Sequence, residues 1–420
     1  MDPSLFKVQV TSLNPAITDS DVCIINPQRP QCCDDFFRDT KVIGSLNPTG
    51  LGTTNVFEIS KQSAAITNFY IHAVHQPVTL TAGTFVCYPD YTGFAEITQL
   101  RVMYQGEEIF KYGRDYMWAR TRKYYTNEKR SHLDEAVFGN KTRAERISAT
   151  INGFETFTPS CLPTSYVTSQ ATPNITLTQK LRIEIDTDTA ANLLQTDGTY
   201  NPPIVTYELY VDFHHTMKKW GDKLVMKSKT ENGIPYLINS KTLLQQYQVS
   251  APNNNTPTTV NLLTNGVIKE LMVWFVPLNL TNNPGSIDRW VIANAPVPVP
   301  PGMVPYQPID HIEAVCDGVY MIRATWRERF MKTLVDMQYH SCQFGDNIYC
   351  WSASADPERE NAALGNFAIA YANNPQLSIY WGPGGTGIIN QQPQVLVLNV
   401  LYWYYTYVQF QGGNVIEVYK

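Results

Sequence analysis

The residues whose types could do chemistry stand at spacings that argue against it. Gly382-Pro383-Gly384-Gly385-Thr386-Gly387 fits the pattern GxGxxG and follows a strand-like run. A dinucleotide site needs a helix to open at once, so that its N-terminal amides hold the pyrophosphate. Here Ile388 to Pro393 follows, then another strand-like run, so the expectation is a loop between strands. His72 and His75 are three apart in a strand-like run, and positions i and i+3 of a strand face opposite ways. His214 and His215 are adjacent and diverge for the same reason. No His-X-His occurs, the spacing that would put two rings on one strand face. His132, His311 and His340 are isolated, and a satisfied or exposed imidazole is expected at each. His340 lies close to Cys342, yet thiol catalysis needs a thiolate and a base brought together by the fold, and nothing nearby demands that. There is no GxSxG elbow, no GxxxxGK[ST] loop and no CxxC pair. The reading assigns no catalytic residue, no cofactor-binding residue and no metal ligand, and expects no enzymatic activity and no cofactor.

One stretch mixes bases with aromatics. Between Lys111 and Arg146 stand Arg114, Arg120, Arg122, Lys123, Lys129, Arg130, Lys141 and Arg143, interleaved with Tyr112, Tyr116, Trp118, Tyr124 and Tyr125. Such mixing can mark nucleic-acid contact. Glu107, Glu108, Asp115, Glu128, Asp134, Glu135 and Glu145 nearly balance the charge, so a solvated or subunit-facing helical insertion is expected; an inner-face contact to genome or membrane proteins stays open.

What must position these residues is mostly strand. At 420 residues the chain suits two domains of about 200 residues each. Hydrophobic residues make up 43%, enough for a large core, and charged residues only 16%, below the usual quarter. The 27 Pro and 24 Gly spread along the chain argue against long helices and for an all-β protein with many turns. A net charge of −5 does not suggest nucleic-acid or anionic-membrane binding over the whole surface. Eight cysteines are too sparse for a disulfide scaffold in so long a chain, so reduced thiols of a cytosolic protein are expected. The start, MDPSLFKVQV, has no signal-peptide pattern, and no run approaches the roughly 18 apolar residues of a membrane span. The sequons at Asn140, Asn174, Asn254 and Asn279 read as chance matches unless the protein is glycosylated by another route.

Along the chain, residues 1–50 read as an irregular or edge-paired N-terminal arm. Strands are expected at Asn55–Ile59, Phe69–Val74, Val78–Leu80, Thr84–Tyr88 and Ile97–Met103. The best helical region is Glu107–Asn140, with Phe110, Tyr116, Met117 and Trp118 on one face. Leu181, Ile183 and Ile185 alternate with Lys180, Arg182 and Glu184, the period of a half-buried strand, and Ile204–Phe213 is the next strong one. A polar connection, Lys218–Lys241, holds the domain boundary, placed between a first domain at 51–225 and a second at 226–420. The second series comprises Leu243–Val249, Val260–Leu263, Ile268–Val276, Ile348–Ser354, Leu377–Tyr380, Val395–Phe410 and Val415–Tyr419. Asn279–Asp310, dense in proline, is expected to be extended and outside any central strand. Arg323–Met331 is ambiguous between strand and helix. About sixteen strands in two sets result.

Particular segments carry a likeness. Gly266-Val267-Ile268-Lys269-Glu270-Leu271-Met272-Val273-Trp274 aligns with a His-Pro-Val-Lys-Glu-Leu-Ile-Trp pattern through Lys269, Glu270 and Leu271, without the His-Pro. Ile348–Ser354, Asp356-Pro357-Glu358, Leu364-Gly365-Asn366-Phe367 and Leu377-Ser378-Ile379 then follow in the order strand, Pro-Glu turn, Asn-Phe, Leu-X-Leu strand, without the Pro-Ser or Ser-Arg-Ile-Asp of that pattern. In the first half, Phe94–Trp118 and Tyr207–Asp212 look like a strand, Gly turn and helix and a closing strand. These segments resemble the double jelly-roll major capsid proteins of nucleocytoplasmic large DNA viruses and related virophage and polinton-like viruses, with this chain a divergent member. The resemblance implies an all-β fold of two consecutive eight-stranded jelly-roll barrels, with a short helical insertion and long loops. It implies a homotrimer forming a pseudo-hexagonal capsomer of an icosahedral dsDNA virus shell. Neighbouring capsomers and minor capsid or penton proteins would be partners. An internal membrane could lie close by, and sequence-specific nucleic-acid contact is not implied. Assembly would occur in the host cytoplasm or a virus factory, and the protein would reside in the virion. The cluster Cys23, Cys32 and Cys33 could crosslink in a released particle. A minor capsid protein of the same lineage is an alternative. So is a carbohydrate-binding β-sandwich, motivated by the many Tyr, Trp and Asn residues, and a jelly-roll metal enzyme is the third reading.

Overall fold

The computed structural model describes residues 36–60, 64–104, 106–161, 180–216, 226, 229, 234–250, 257–262, 266–277, 309–316, 318–323, 330–331, 338, 340, 348–358, 365, 367–371, 373–381, 395–411 and 414–417. The chain divides into two compact units, the first made chiefly of the chain up to Lys241, the second of Thr242–Glu358 and Leu364–Tyr405.

In the first unit the strands are β1 (Phe36–Gly44), β2 (Thr54–Ile59), β3 (Ala64–His75), β4 (Leu80–Ala82), β5 (Val86–Cys87), β6 (Ile97–Tyr104), β7 (Glu107–Tyr112), β8 (Phe154–Pro159), β9 (Leu181–Thr187), β10 (Gln195–Thr196), β11 (Thr199–Tyr200) and β12 (Val205–Thr216). Two four-stranded antiparallel sheets carry it, ordered β1-β12-β3-β8 and β2-β9-β6-β7. Two short ribbons, β4 with β11 and β5 with β10, complete the unit. The second unit contains the larger part of β13 (Ile234–Ser250), then β14 (Thr258–Asn261), β15 (Ile268–Pro277), β16 (Ile309–Cys316), β17 (Val319–Ile322), β18 (Ile348–Ser352), β19 (Gln376–Trp381) and the larger part of β20 (Val395–Gln411). Its sheets are ordered β13-β20-β15-β18 and β14-β19-β16-β17, and the far end of β20 also pairs with β21 (Asn414–Glu417).

The two orders are the same order. Counted along the chain without the ribbons and β21, the eight strands of either unit form sheets 1-8-3-6 and 2-7-4-5. That double Greek key is the jelly roll, and this chain has it twice. The count agrees with the roughly sixteen strands in two sets expected from the sequence, although the expected strands near Leu80 and Val86 belong to the ribbons and β7, β8, β16 and β17 were not foreseen as strands.

Local chemistry explains the elements. In β9 Leu181, Ile183 and Ile185 are buried while Arg182 is exposed and Glu184 and Asp186 half-buried, and β2 buries Asn55, Phe57 and Ile59 in the same alternation. Apolar side chains of period two can reach a core only from a strand. The equivalent hairpins β6–β7 and β16–β17 each turn at a glycine with positive φ, Gly106 (87°) and Gly318 (75°). That backbone is strained for any residue with a Cβ. Among the described residues five helices lie in the first unit: the short α1 (Thr92–Ala95), then α2 (Arg114–Tyr124), α3 (Asn127–Ala136), α4 (Arg143–Asn152) and the short α5 (Ala190–Leu193). Thr126 caps α3 through its side chain, and Thr142 with Glu145 forms a reciprocal capping box on α4.

Two expectations need correction. The helical region does not begin at Glu107. Glu107–Tyr112 is β7, held in register with β6 from Leu100↔Tyr112 onward, and Phe110 and Tyr112 bury themselves with the period of a strand. Phe110 therefore shares no helix face with Tyr116, Met117 and Trp118. The helical segment is also less solvated than its charge implies, since Arg120, Lys123, Arg130 and Arg146 are all buried. In addition, β13 starts at Ile234, inside the stretch read as a polar connection, because Ile234-Pro235-Tyr236-Leu237 extends the strand backwards.

Candidate functional site

Three clusters of titratable side chains stand out, and neighbours in sequence do not make them. The first is inside the first unit. β3 places Phe69, Ile71, Ala73 and His75 on its core face. His75 Nε2 is 2.9 Å from Glu96 Oε2, and the Tyr207 hydroxyl donates to the same oxygen at 3.0 Å. Both His75 and Glu96 side chains are fully buried. The imidazole stacks on Phe154 with centroids 4.3 Å apart and meets the edge of Tyr88. His75 Nδ1 and Glu96 Oε1 have no hydrogen-bond partner among the described residues. With no polar opening to solvent, this is a buried polar pin between β3, β12 and the start of β6.

His72 faces the other way. On the opposite side of the same strand its ring stacks on Phe157 and lies 3.3 Å from Glu155 Oε2 and 3.4 Å from Glu208 Oε2. Glu155 and Glu208 are half-exposed or more, so this is an ion-pair cluster at the edge of solvent, worth little on its own. The two rings therefore diverge and cannot share a ligand. His215 approaches Asp39 at 3.6 Å, His311 bonds Asp310 at 2.6 Å and stacks on Tyr380, and His132 is exposed on α3.

The third cluster lies in the second unit. His340 Nε2 is 2.8 Å from Glu270 Oε1, Cys350 Sγ donates to the same oxygen at 2.5 Å, and Cys350 Sγ is 3.6 Å from His340 Nε2. His340 Nδ1 faces Glu358 Oε1 at 3.7 Å. Strand pairing explains the meeting: Met272 lies opposite Cys350 and Glu270 opposite Ser352, so Glu270 and Cys350 are diagonal neighbours on one face of adjacent strands. A bulge between Ile268 and Glu270, where β15 pairs with β20, sets this face. Ile268, Leu271 and Val273 go to the core, leaving Glu270 and Met272 on the other side. Cys350 with His340 has the look of a nucleophile and its base, but the Glu270 carboxylate oxygen stands against both. The side chains of His340 and Glu270 are fully buried, and Cys350 is 1% exposed.

The basic helices fold inward. Arg120 lies over the Tyr124 ring at 4.7 Å, Arg122 over Tyr91 at 5.3 Å, and Arg122 also donates to the Tyr91 hydroxyl and approaches Asp134 at 3.8 Å. Burial pulls the Asp134 carboxyl above its ordinary range. Arg120 and Arg122 thus direct their charge at aromatic rings and Asp134 within the first unit, while Lys111, Lys129 and Arg143 remain exposed.

No protein-family model matches the sequence, and no curated protein does. Solved structures do match, over nearly the whole length. The PBCV-1 virus capsid model is 14% identical with TM-score 0.68, covering 92% of this chain and 97% of that one. The Faustovirus major capsid protein is 9% identical with TM-score 0.59, covering 90% and 91%. The Sputnik virophage structure is 11% identical with TM-score 0.57, covering 91% and 88%. The fold is that of the double jelly-roll capsid proteins. Identities this low speak for the fold, and the coverage shows that both jelly rolls take part in the match.

Within the double jelly-roll fold, some residues singled out in the sequence lie outside the described residues: the Gly382–Gly387 loop, Cys342, the cluster Cys23, Cys32 and Cys33, most of Asn279–Asp310, and Asn174, Asn254 and Asn279. Asn140 is described, and its side chain donates to Asp134 at 3.0 Å. The sequence reading missed Glu270 with Cys350. The signal available to it was a charged residue, Glu270, inside the otherwise apolar run of β15. Cys87, Cys161, Cys316 and Cys350 are buried. Burial pushes the Cys161 thiol up to about 12, against a smaller opposing pull from Arg120. Cys161 is therefore expected to stay unreactive towards a disulfide reagent at about pH 8 and to react only when denaturant opens the fold. Thiol titration by mass spectrometry checks this, and rapid native labelling of Cys161 would contradict its burial.

Proposed function

We propose that this chain is a major capsid protein that works by assembly, as a homotrimer forming a pseudo-hexagonal capsomer of an icosahedral dsDNA virus shell. The single observation that carries the reading is the double jelly roll itself: two eight-stranded units of identical strand order in one chain, matching viral capsid structures over about nine-tenths of both chains. In this reading residues 1–50 are an arm that contributes β1 to the edge of its sheet, 51–225 the first barrel and 226–420 the second. Three copies would present six barrels, which suits a hexagonal tile. Apolar loop surface buried between subunits would drive trimer formation, and polar flanks would set the spacing to neighbouring capsomers. The Pro-rich Asn279–Asp310 segment would supply the outer tower or the trimer contact. Minor capsid or penton proteins would be further partners, and the protein would reside in the virion. The reading assigns it no catalytic step, and the buried state of its His, Glu and Cys clusters supports that.

Light scattering after size exclusion tests the proposal. A discrete species of about 140 kDa, three copies of a 47.5 kDa chain, is expected. A monomer at all concentrations would remove the capsomer. Selective binding to a glycan array by that monomer would then favour a carbohydrate-binding sandwich.

A further inference from the structure

We propose that Glu270, His340 and Cys350 form a structural site for a thiophilic divalent cation of the zinc class inside the second unit. The three ligand atoms, a carboxylate oxygen, an imidazole nitrogen and a sulfur, all lie within 4.8 Å of one another, and all three residues are buried. Nitrogen and sulfur donors with one carboxylate are the set that Zn²⁺ prefers, whereas Ca²⁺ and Mg²⁺ take oxygen alone. The present separations are 2.5, 2.8 and 3.6 Å. Zn–N and Zn–O bonds of about 2.0–2.1 Å and a Zn–S bond of about 2.3 Å ask for ligand separations of roughly 3.4 Å in a tetrahedron. The sulfur–nitrogen pair thus fits already, while the nitrogen and oxygen need to part by roughly 0.6 Å and the sulfur and oxygen by about 1 Å.

Charge and surroundings agree with the assignment. A thiolate and a carboxylate together balance a doubly charged ion, so a neutral cluster replaces ionisable groups whose burial is costly. Glu270 and Cys350 are set rigidly by the β15–β18 ladder, and a bulge aims Glu270. His340 offers Nε2 to the cluster while Nδ1 faces the Glu358 carboxylate. A carboxylate behind a ligating histidine helps to orient the ring, and Glu358 stands on that side at 3.7 Å. On binding, the Cys350 Sγ–H bond gives way to a bond from sulfur to the metal, and that proton leaves to solvent. The second oxygen of Glu270 or a water completes the fourth position. The ion would tie His340, which precedes β18, to two strands of the sheet, and its binding energy would become folding energy of the second unit.

The full-length chain, purified without added metal, is assayed for metal content by elemental mass spectrometry, then stripped with chelator and loaded with Co²⁺ as a spectroscopic probe. One cobalt per chain, tetrahedral ligand-field bands and a thiolate-to-cobalt charge-transfer band are expected. Cys350→Ser should abolish the charge-transfer band, while Cys87→Ser, Cys316→Ser and Cys342→Ser keep it. Added Zn²⁺ should raise the melting temperature of the wild-type chain and chelator should lower it. That measurement stands even if Cys350→Ser fails to fold. Cobalt without a thiolate band would overturn the proposal. So would a band that survives Cys350→Ser, or a melting temperature indifferent to both zinc and chelator. Each of those outcomes would leave the cluster a hydrogen-bonded triad. None of them bears on trimer formation, which is read separately by mass.

Discussion

His75→Ala is expected to destabilise the first unit by about 3–5 kcal/mol, the cost of leaving one member of a buried pair without the other. The substitution removes the ring nitrogen 2.9 Å from Glu96 Oε2 and leaves that buried carboxyl with Tyr207 as its donor. It also opens a cavity where the imidazole stacked on Phe154. Urea denaturation measures the loss. The informative companion is the triple variant His75→Leu, Glu96→Leu, Tyr207→Phe. Replacing all members of a buried polar cluster by apolar groups of similar volume is often neutral or stabilising, so the triple variant should recover most of the stability. A His75→Ala loss of less than about 1 kcal/mol, the size of an average substitution, would mean that the cluster is solvated or unpaired in solution.

The second large effect lies on β9. Ile183 is fully buried between β2 and β6, paired across to Phe57 and Val102. Ile183→Ala should cost about 2–5 kcal/mol through lost transfer energy and the cavity left behind. Its neighbour Arg182 is exposed on the other face, and Arg182→Ala should stay within about 0.5 kcal/mol. The contrast between adjacent residues is the test. A larger loss at Arg182 than at Ile183 would mean that the register is shifted by one residue, which would turn every side chain of the strand to the other face.

That contrast was legible in the sequence, because alternation along Leu181–Ile185 needs no partner to be recognised. The same holds for Asn55–Ile59, Ile97–Met103, Ile268–Val276 and Val395–Phe410, each of which is a strand close to the expected limits. Local pattern failed at Glu107–Tyr112. High charge and scattered aromatics there suit a helix as well as a hairpin strand, and pairing with β6 decides between them. The basic stretch misled similarly. Its charge balance suggested solvent, whereas Arg120 and Lys123 are buried among the aromatics of their own helix.

The sequence by itself determined the all-β character, the two sets of strands and the face that each strand turns inward, because these follow from side-chain period and turn residues within a few positions. It also determined that His72 and His75 part company, since strand geometry at three residues' spacing allows nothing else. Only the tertiary structure decided which polar residues meet. Cys342 was the neighbour that sequence offered His340; among the described residues the thiol beside it is Cys350 and the carboxylate is Glu270, brought across by the order 1-8-3-6, which places β15 next to β18. In the same way β1 reaches β12 through Thr40 and Asp212, 172 residues apart. Contacts of that range depend on how Greek keys wind the chain, and winding is a property of the packed sheets that no local stretch of residues encodes.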